Sequence, residues 1–340
     1  MRILAIESTA HTLGIAVVQS SAKYAKAVDK KNTRVLSNEI ARYPAGREGF
    51  IPRKLADHHA KSYPRVLRKS LEVAKVSLGE VDFVAIVNGP GIGHCLHAGF
   101  VAAKSLSLLL RKPLVPVNHA IAHVEVGKWS CGCADPLIVY VSGGNTQIIS
   151  KQKYEDGKNY YHVYGETLDV GIGNFLDVLG RELGTTPPNA IGLLKLAERG
   201  KNFVPLPYTV KGNNLAFAGL QSAVLREAGR KAHTLEDLVF SAREVAFSML
   251  VEASERVLCH TANSELLLVG GVAQSRRLQE MYGLMCKPHG TRFCVVPPEY
   301  AGDQAAMAGI AAVKQILSKT IPRKNEPEQN LRIDSSALGW

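Results

Sequence analysis

The sequence has no stretch of about 18 apolar residues, the length a helix needs to cross a bilayer. Residues 1–7 run straight into a strand pattern, without the basic, apolar and small-residue succession of a secretory signal. The expectation is a soluble, cytoplasmic protein with no membrane partner. Cysteine is sparse, and its six positions (Cys95, Cys131, Cys133, Cys259, Cys286, Cys294) are scattered. The one close pair, Cys131 and Cys133, is too tight for a two-residue zinc knuckle, so neither a disulfide framework nor a cysteine-based metal site is expected, and buried thiols in a reducing compartment are. Acidic residues are in deficit, 30 against 41 Lys and Arg, giving a formal charge of +11. That excess favours a polyanionic partner such as RNA, through counterion release and long-range attraction, and it equally fits charges spread over a soluble surface.

What is present is enough apolar sequence for two cores: 340 residues, 46% hydrophobic, with a mean hydropathy of -0.01. The chain is organised around residues 117–127, VNHAIAHVEVG, where the apolar strand 114–117 runs into His119 and His123. In a helix, these imidazoles lie one turn apart on one face, about 5–6 Å between Cβ atoms, within reach of one divalent ion. Ala120, Ile121 and Val124 also suit a buried helix in which each histidine is a satisfied core residue. Metalloproteases place a glutamate after the first histidine; here Ala120 stands there, so a zincin hydrolase is not expected.

The chain carries an internal echo. Residues 2–6 and 13–19 form a hairpin with a Ser/Thr-rich tip, and residues 136–141 and 147–150 repeat it around the tip Ser142-Gly143-Gly144-Asn145-Thr146. Strand 81–87 ends in NGPGIG and enters a helix to Leu110, while strand 265–269 ends in Gly270-Gly271 and enters a helix from Gln274 to Cys286. Each half reads as hairpin, helix, strand, glycine turn, helix. That plan resembles the actin, hexokinase and Hsp70 group of ATPases, whose hairpin tips and glycine turns hold nucleotide phosphates. Glycine lets backbone amides approach an anion, and a helix N-terminus adds a partial positive charge.

Other segments are read one by one. In residues 46–60, Pro52 opens a helix bearing His58 and His59, whose adjacent positions send one side chain outward and one inward. Asp169 suits an N-cap. Asp177 sits within an apolar helix and calls for a ligand or a basic partner. Residues 206–220 read as loop, with Lys211 and Gly212 either exposed turn residues or part of a cleft wall. Residues 234–260 read as a long helix with Ser241, Glu244 and Glu252 on its wetter side. Gly302-Asp303 opens a further helix, where the aspartate is either a plain N-cap or a ligand. The polar tail after Ile321 crosses back as an arm or docks at a partner.

Taken together, ESTAHT (7–12), PRKLADHHA (52–60), NGPGIG (88–93), NHAIAHVE (118–125), YVSGGNTQ (140–147), GETLDVGIGN (165–174), LPYTVKG (206–212), VGGVA (269–273) and GD (302–303) resemble the archaeal and eukaryotic tRNA N6-adenosine threonylcarbamoyltransferases. The resemblance covers nearly the whole chain. It implies a two-lobed α/β fold of the actin-like ATPase (ASKHA, ribonuclease H-like) type with duplicated mixed sheets. The lobes would be 1–135, completed by a C-terminal helix at about 303–340, and 136–302. It implies one divalent metal, iron before zinc or magnesium, held by His119, His123, Tyr140 and Asp303. The implied donor is threonylcarbamoyl-AMP, contacted by Tyr140, Val141, Ser142, Gly143, Gly144 and Asp177. The acceptor is the N6 amine of the adenosine 3′ of the anticodon in tRNAs reading ANN codons. Implied partners are the tRNA and KEOPS-type subunits: a small protein kinase, a dimerising subunit and a tRNA-binding subunit. No general base is assigned.

The chain departs from the family pattern where it has Ala190 and Leu194 in place of a Gly-Gly-Pro stretch and a ribose-binding glutamate. Ser275 replaces an asparagine, Gln304-Ala305 replaces Asn-Gly after Asp303, and His97 replaces an arginine. Two alternatives stand beside the transferase: Leu194 and Ser275 point to a weakened paralogue serving as a KEOPS-type scaffold or tRNA-binding protein, and the four glycine turns to a nucleotide-dependent ATPase of the same fold.

Overall fold

The computed structural model describes residues 1–44, 50–322 and 326–340. Residues 46–49, which open the histidine segment, and residues 323–325 of the polar tail lie outside the described residues. In chain order, β1 (Arg2–Glu7), β2 (Thr12–Ser20) and β3 (Thr33–Arg42) precede α1 (Pro52–Ala74). Then come β4 (Phe83–Gly89), α2 (Gly93–Leu110), β5 (Leu114–Asn118) and α3 (His119–Cys131). They are followed by β6 (Leu137–Val141), β7 (Thr146–Lys153), β8 (Asn159–Glu166), α4 (Ile172–Glu182) and α5 (Ala190–Ala197). A small ribbon, β9 (Val210–Lys211) and β10 (Asn214–Leu215), leads into α6 (Ala218–Arg230) and α7 (Leu235–Thr261). Last are β11 (Glu265–Val269), α8 (Arg276–Cys286), β12 (Arg292–Val295), α9 (Pro298–Ala301) and α10 (Ala305–Ser318).

The chain separates into two compact units. One comprises Met1–Gly132, Gln152–Tyr161 and Pro297–Trp340; the other comprises Cys133–Lys151 and His162–Val296. The first sheet has the order β3-β2-β1-β4-β5, and the second, from its far edge, β8-β7-β6-β11-β12. Each begins with an antiparallel hairpin and continues through parallel strands reached by helical crossovers. Identical strand order establishes the duplication that the repeated hairpins and glycine turns announce. The third strand of each sheet, β3 and β8, goes unread in the sequence because TRVLSNEIAR and NYYHVYGE mix polar and apolar residues without a regular period and stay largely half-buried.

In the first unit both faces of the sheet are covered, and period-two alternation sorts the residues between them. Leu4, Ile6, Leu13, Ile15, Val84 and Ile86 pack toward α1 and α2. The opposite face carries small residues, Ala5, Ala16 and Ala85, against the Ala-rich α10. Small side chains on both surfaces let α10 lie close to the sheet. At Gly309 any Cβ would collide with the Val18 side chain.

The helix α3 is buried along almost its whole length, including Glu125 and Lys128. Glu125 accepts hydrogen bonds from the Lys314 ammonium, the Tyr161 hydroxyl and, at 2.9 Å, the Trp340 indole N–H. Lys128 Nζ lies 3.4 Å from the Tyr161 hydroxyl. The tail therefore crosses back as an arm: Glu328 N donates to Asn88 O at 2.7 Å and Leu338 N to Asn159 O at 2.7 Å.

Three readings are corrected. Residues 206–220 are not all loop: β9 and β10 form a ribbon, and α6 begins at Ala218. Ser241 is fully buried, its hydroxyl accepting from Val204 N and donating to Asp237 O, so it belongs to the dry side of α7. The helix expected from Gln274 starts at Arg276, after a short 3-10 turn at Gly271–Gln274.

Burial pushes the Glu125 carboxyl upward, but the charges of Lys314 and Lys128, with the bonds from Lys314 and Tyr161, outweigh it and hold it down at about 2. A folded value below the ordinary 4.5 gives stability that is complete above that pH and is lost as pH falls toward about 2. Glu125→Gln leaves two buried ammonium groups without their counter-charge, and should destabilise the fold by about 3–5 kcal/mol. Denaturant titration at neutral pH measures this, and the acid limb of the stability curve should flatten in the variant.

Candidate metal centre

The strand-to-helix junction at Asn118 sets the first two ligands. Asn118 caps α3 by accepting hydrogen bonds from Ala120 N (2.9 Å) and Ile121 N (3.1 Å), and its amide donates to Arg332 O at 2.9 Å. His119 thus occupies the first helical position, directly off a central strand, and His123 follows one turn later. Their rings meet edge to face with centroids 4.7 Å apart.

Asp303 arrives from the other end of the chain. Its Oδ1 lies 3.3 Å from His123 Nε2 and 3.6 Å from His119 Nε2. The N-cap of α10 is Gln304, whose side chain accepts from Met307 N, so the plain-cap reading of Asp303 is set aside. Close approach of this segment requires Gly14 on β2, where a Cβ would come within 2.9 Å of Ala305 N. Among the described residues, His119, His123 and Asp303 form a set whose donor atoms all lie within 4.8 Å of one another.

Glu7, fully buried at the end of β1, stands behind His119. Its Oε2 is 3.2 Å from His119 Nδ1, and its Oε1 accepts from Thr9 N at 2.6 Å. A carboxylate on Nδ1 keeps a proton there, so Nε2, on the Asp303 side, is the nitrogen that would give up its proton to an ion. Burial alone would lower the His119 pKa, but Glu7 and Asp303 together hold it up at about 9. His123 goes the other way: burial, joined by the charge on His119, keeps it below the ordinary histidine value despite its bond to Asp303. Burial works against ionised Asp303, yet the two imidazoles hold its carboxyl well below the usual range. Two buried nitrogen donors and one carboxylate, backed by a second carboxylate, suit a divalent ion with bonds of about 2.0–2.2 Å. The residues fit the group.

In the second unit the β6–β7 tip is laced to the start of α4. Gly173 N donates to Ser142 O (3.1 Å) and Asn174 N to Gly143 O (3.0 Å). A Cβ at Gly173 would stand 2.6 Å from Ser142 O. Gly270, at φ +98°, packs its Cα against the Val141 carbonyl. Gly143, Gly173, Asp177, Ala190, Leu194, Gly271 and Ser275 line a cavity of about 440 Å³. Asp177 accepts from Ala190 N at 2.8 Å, which accounts for a carboxylate in an apolar helix without a basic partner. Asp169 is indeed a cap, but of α6, accepting from Phe217 N and Ala218 N, while Gly171 precedes α4. Tyr140 is fully buried in β6 between Val269 and Gln147. Of the sequence-based candidates, His119, His123 and Asp303 come together in the first unit; Tyr140, Val141, Ser142, Gly143, Gly144 and Asp177 belong to the second.

A family model described as TsaD, tRNA N6-adenosine threonylcarbamoyltransferase, matches residues 34–310. The Staphylothermus marinus protein of that name is 41% identical, over 99% of both chains. The one from Thermofilum pendens is 43% identical over 100% of this chain and 97% of its own. The chain belongs to the tRNA N6-adenosine threonylcarbamoyltransferase family. A probable bifunctional tRNA threonylcarbamoyladenosine biosynthesis protein of Methanocaldococcus jannaschii is 43% identical over 90% of this chain, which spans 54% of it. Among solved structures, the activator of the 2-hydroxyisocaproyl-CoA dehydratase from Clostridium difficile aligns over 95% of this chain and 99% of its own, at TM-score 0.54 and 13% identity. T. kodakarensis HypF aligns over 96% of this chain and 50% of its own, at 0.58 and 14%. These likenesses carry the fold alone, and they give the expected α/β class with two mixed sheets of the actin-like ATPase type.

As a threonylcarbamoyltransferase, the protein is a tRNA-modifying acyltransferase. The family implies a divalent metal, and His119, His123 and Asp303 are a set that could hold it. No helix among the described residues is long and apolar enough to cross a membrane. Ala190, Leu194 and Ser275 line one cavity, and Gln304 has the separate task of capping α10. Glu7 was assigned no role in the sequence, where it reads only as the polar end of an apolar strand; a carboxylate closing a central strand was the available signal.

Glu7→Gln keeps the shape and removes the charge behind His119, so metal affinity should fall about 10–100-fold. Chelator competition with zinc or cobalt measures this, and an affinity within twofold of the parent would remove Glu7 from the site.

Proposed function

We propose that the chain transfers a threonylcarbamoyl group from threonylcarbamoyl-AMP to the N6 amine of the adenosine 3′ of the anticodon in tRNAs reading ANN codons. The observation that carries this reading is the buried His119–His123–Asp303 set backed by Glu7. In the reaction, the amine attacks the carbamoyl carbon, a C–N bond forms, the bond to the phosphate oxygen breaks, AMP leaves with that electron pair, and the amine loses a proton. The donor is already activated, so no strong nucleophile is required of the protein. A divalent ion, when bound, supplies Lewis acidity toward the donor's oxygens. Two histidines and one carboxylate favour iron(II), with zinc next and magnesium less suited to nitrogen ligands.

Family resemblance adds Tyr140 as a further ligand and assigns the donor to residues 140–144 and Asp177. The cavity lined by Gly143 and Asp177 supports that assignment, with its glycine turns open to an anion. The lobes 1–135 with 303–340, and 136–302, follow the same resemblance. A charge of +11 suits a tRNA partner. The bifunctional relative suggests a neighbour that acts beside this chain, and KEOPS-type subunits (a small kinase, a dimerising subunit, a tRNA-binding subunit) fit that role in the cytoplasm.

The protein with such partners, given threonylcarbamoyl-AMP and tRNA, should form the modified nucleoside. His119→Ala combined with His123→Ala should reduce this to background, and modification that persists after the metal is stripped would overturn the reading. Tyr140→Phe should weaken metal binding in the chelator assay with the thermal midpoint little changed.

A further inference from the structure

A second recess in the first unit adjoins the metal set and is assigned by nothing above. Its volume is about 340 Å³, within the range of roughly 300–1,000 Å³ of small-molecule sites. One wall is the outward face of β3, where period-two alternation presents Asn38, Ile40 and Arg42 together; the other is residues 298–304, including Glu299, Tyr300 and Asp303. Asp303 is shared between this recess and the imidazole pair, so a molecule lying here reaches the centre from the β3 side.

We infer that this recess receives the acceptor nucleotide of the tRNA, with the adenine amine directed at Asp303 and a backbone phosphate at Arg42; the inference rests on the transferase reading. Each wall has the chemistry for one part of that ligand. Ile40 is an apolar side chain left 38% exposed on an edge strand, and the Tyr300 ring is set by an edge-to-face contact with Trp129 at 5.5 Å. Together they offer an apolar and an aromatic surface to a planar base. Arg42 is exposed and makes no ion pair among the described residues, as suits a phosphate contact. The Asn38 oxygen accepts from Ala306 N at 3.2 Å, and its NH2 is the donor this side chain can offer to the recess. A donor there suits ring nitrogen N1 of adenine, which accepts; the same position in guanine carries a hydrogen and is refused. The recess thereby selects the base as well as holding it.

The test uses the active assembly and steady-state kinetics at varied tRNA and varied donor. Arg42→Ala, Ile40→Asp and Asn38→Asp, the last keeping the acceptor for Ala306 N while removing the NH2, should each raise the KM for tRNA roughly tenfold, with the donor KM and the bound metal unchanged. A benzophenone side chain placed at position 40 should cross-link the tRNA within its anticodon loop. Unaltered tRNA KM in all three variants, or cross-links confined to the acceptor arm, would overturn the inference while leaving the transferase reading intact. Failure of the parent assembly to modify tRNA at all would instead remove the reading on which the inference rests.

Discussion

The structure of the first unit turns on a charge balance inside protein: two carboxylates, Glu7 and Asp303, face the two buried imidazoles of His119 and His123. Buried ions of one sign persist only where an opposite charge meets them. Without an ion, the raised His119 supplies part of that charge as imidazolium. A divalent cation matches the two carboxylates in full, and its binding displaces the proton. The same residues could therefore hold a divalent ion, and the carboxylate placed behind His119 would then help to balance its charge.

Such a balance is useful only if α3 and the start of α10 keep their register. They are tied at two levels. Near the N-terminus of α3 the tie is Asp303 to His119 and His123; further along it is Lys314 of α10 to Glu125, with Tyr161 and Trp340 completing the acceptor's shell. Between the two ties runs an apolar seam that includes Ala122, Val126, Ala306 and Ile310. Glu125 then has a reason to be charged: a buried ion pair adds little net stability over an apolar pair, but it penalises any slip of one helix past the other. The Ala-rich face of the sheet and Gly14 and Gly309 serve the same end, since a larger side chain at either glycine would lift α10 from β2.

How much of this the sequence showed depended on the range of each interaction. The His119–His123 spacing was legible because both residues share one helix, whose period is local. The duplicated plan was legible because glycine turns and hairpin tips recur. Asp303 as a partner, 180 residues from His123, came through family resemblance and not through any pattern in the chain. Glu7 stayed hidden for the same reason, being 112 residues from His119. Asp169 looked like the cap of the helix that follows it, yet it caps one that begins 49 residues later. Polar side chains announce that they need a partner; which partner is a property of the fold. Ser241 shows the complement, since a hydroxyl read as exposed is satisfied in the interior by one backbone N–H and one carbonyl.

Under the proposed function the activated donor would lie in the second unit's cavity, whose wall includes Ala190, Leu194 and Ser275. That cavity keeps the glycine approaches of the tip and the turn after β11, and Arg243 stands in the wall, fixed by Glu244, which also binds Arg277 in a fork. At the other end Leu194 and Ile191 offer apolar area in place of hydrogen bonds. Apolar contact contributes roughly 25 cal/mol per Å² whatever the ribose hydroxyls do, so affinity can survive such exchanges while discrimination among nucleosides weakens. Discrimination then shifts to steps that depend on geometry. The adenine amine is a poor nucleophile, and a mixed anhydride exposed to water hydrolyses, so the rate of productive transfer rests on placing the amine within bonding reach before water arrives.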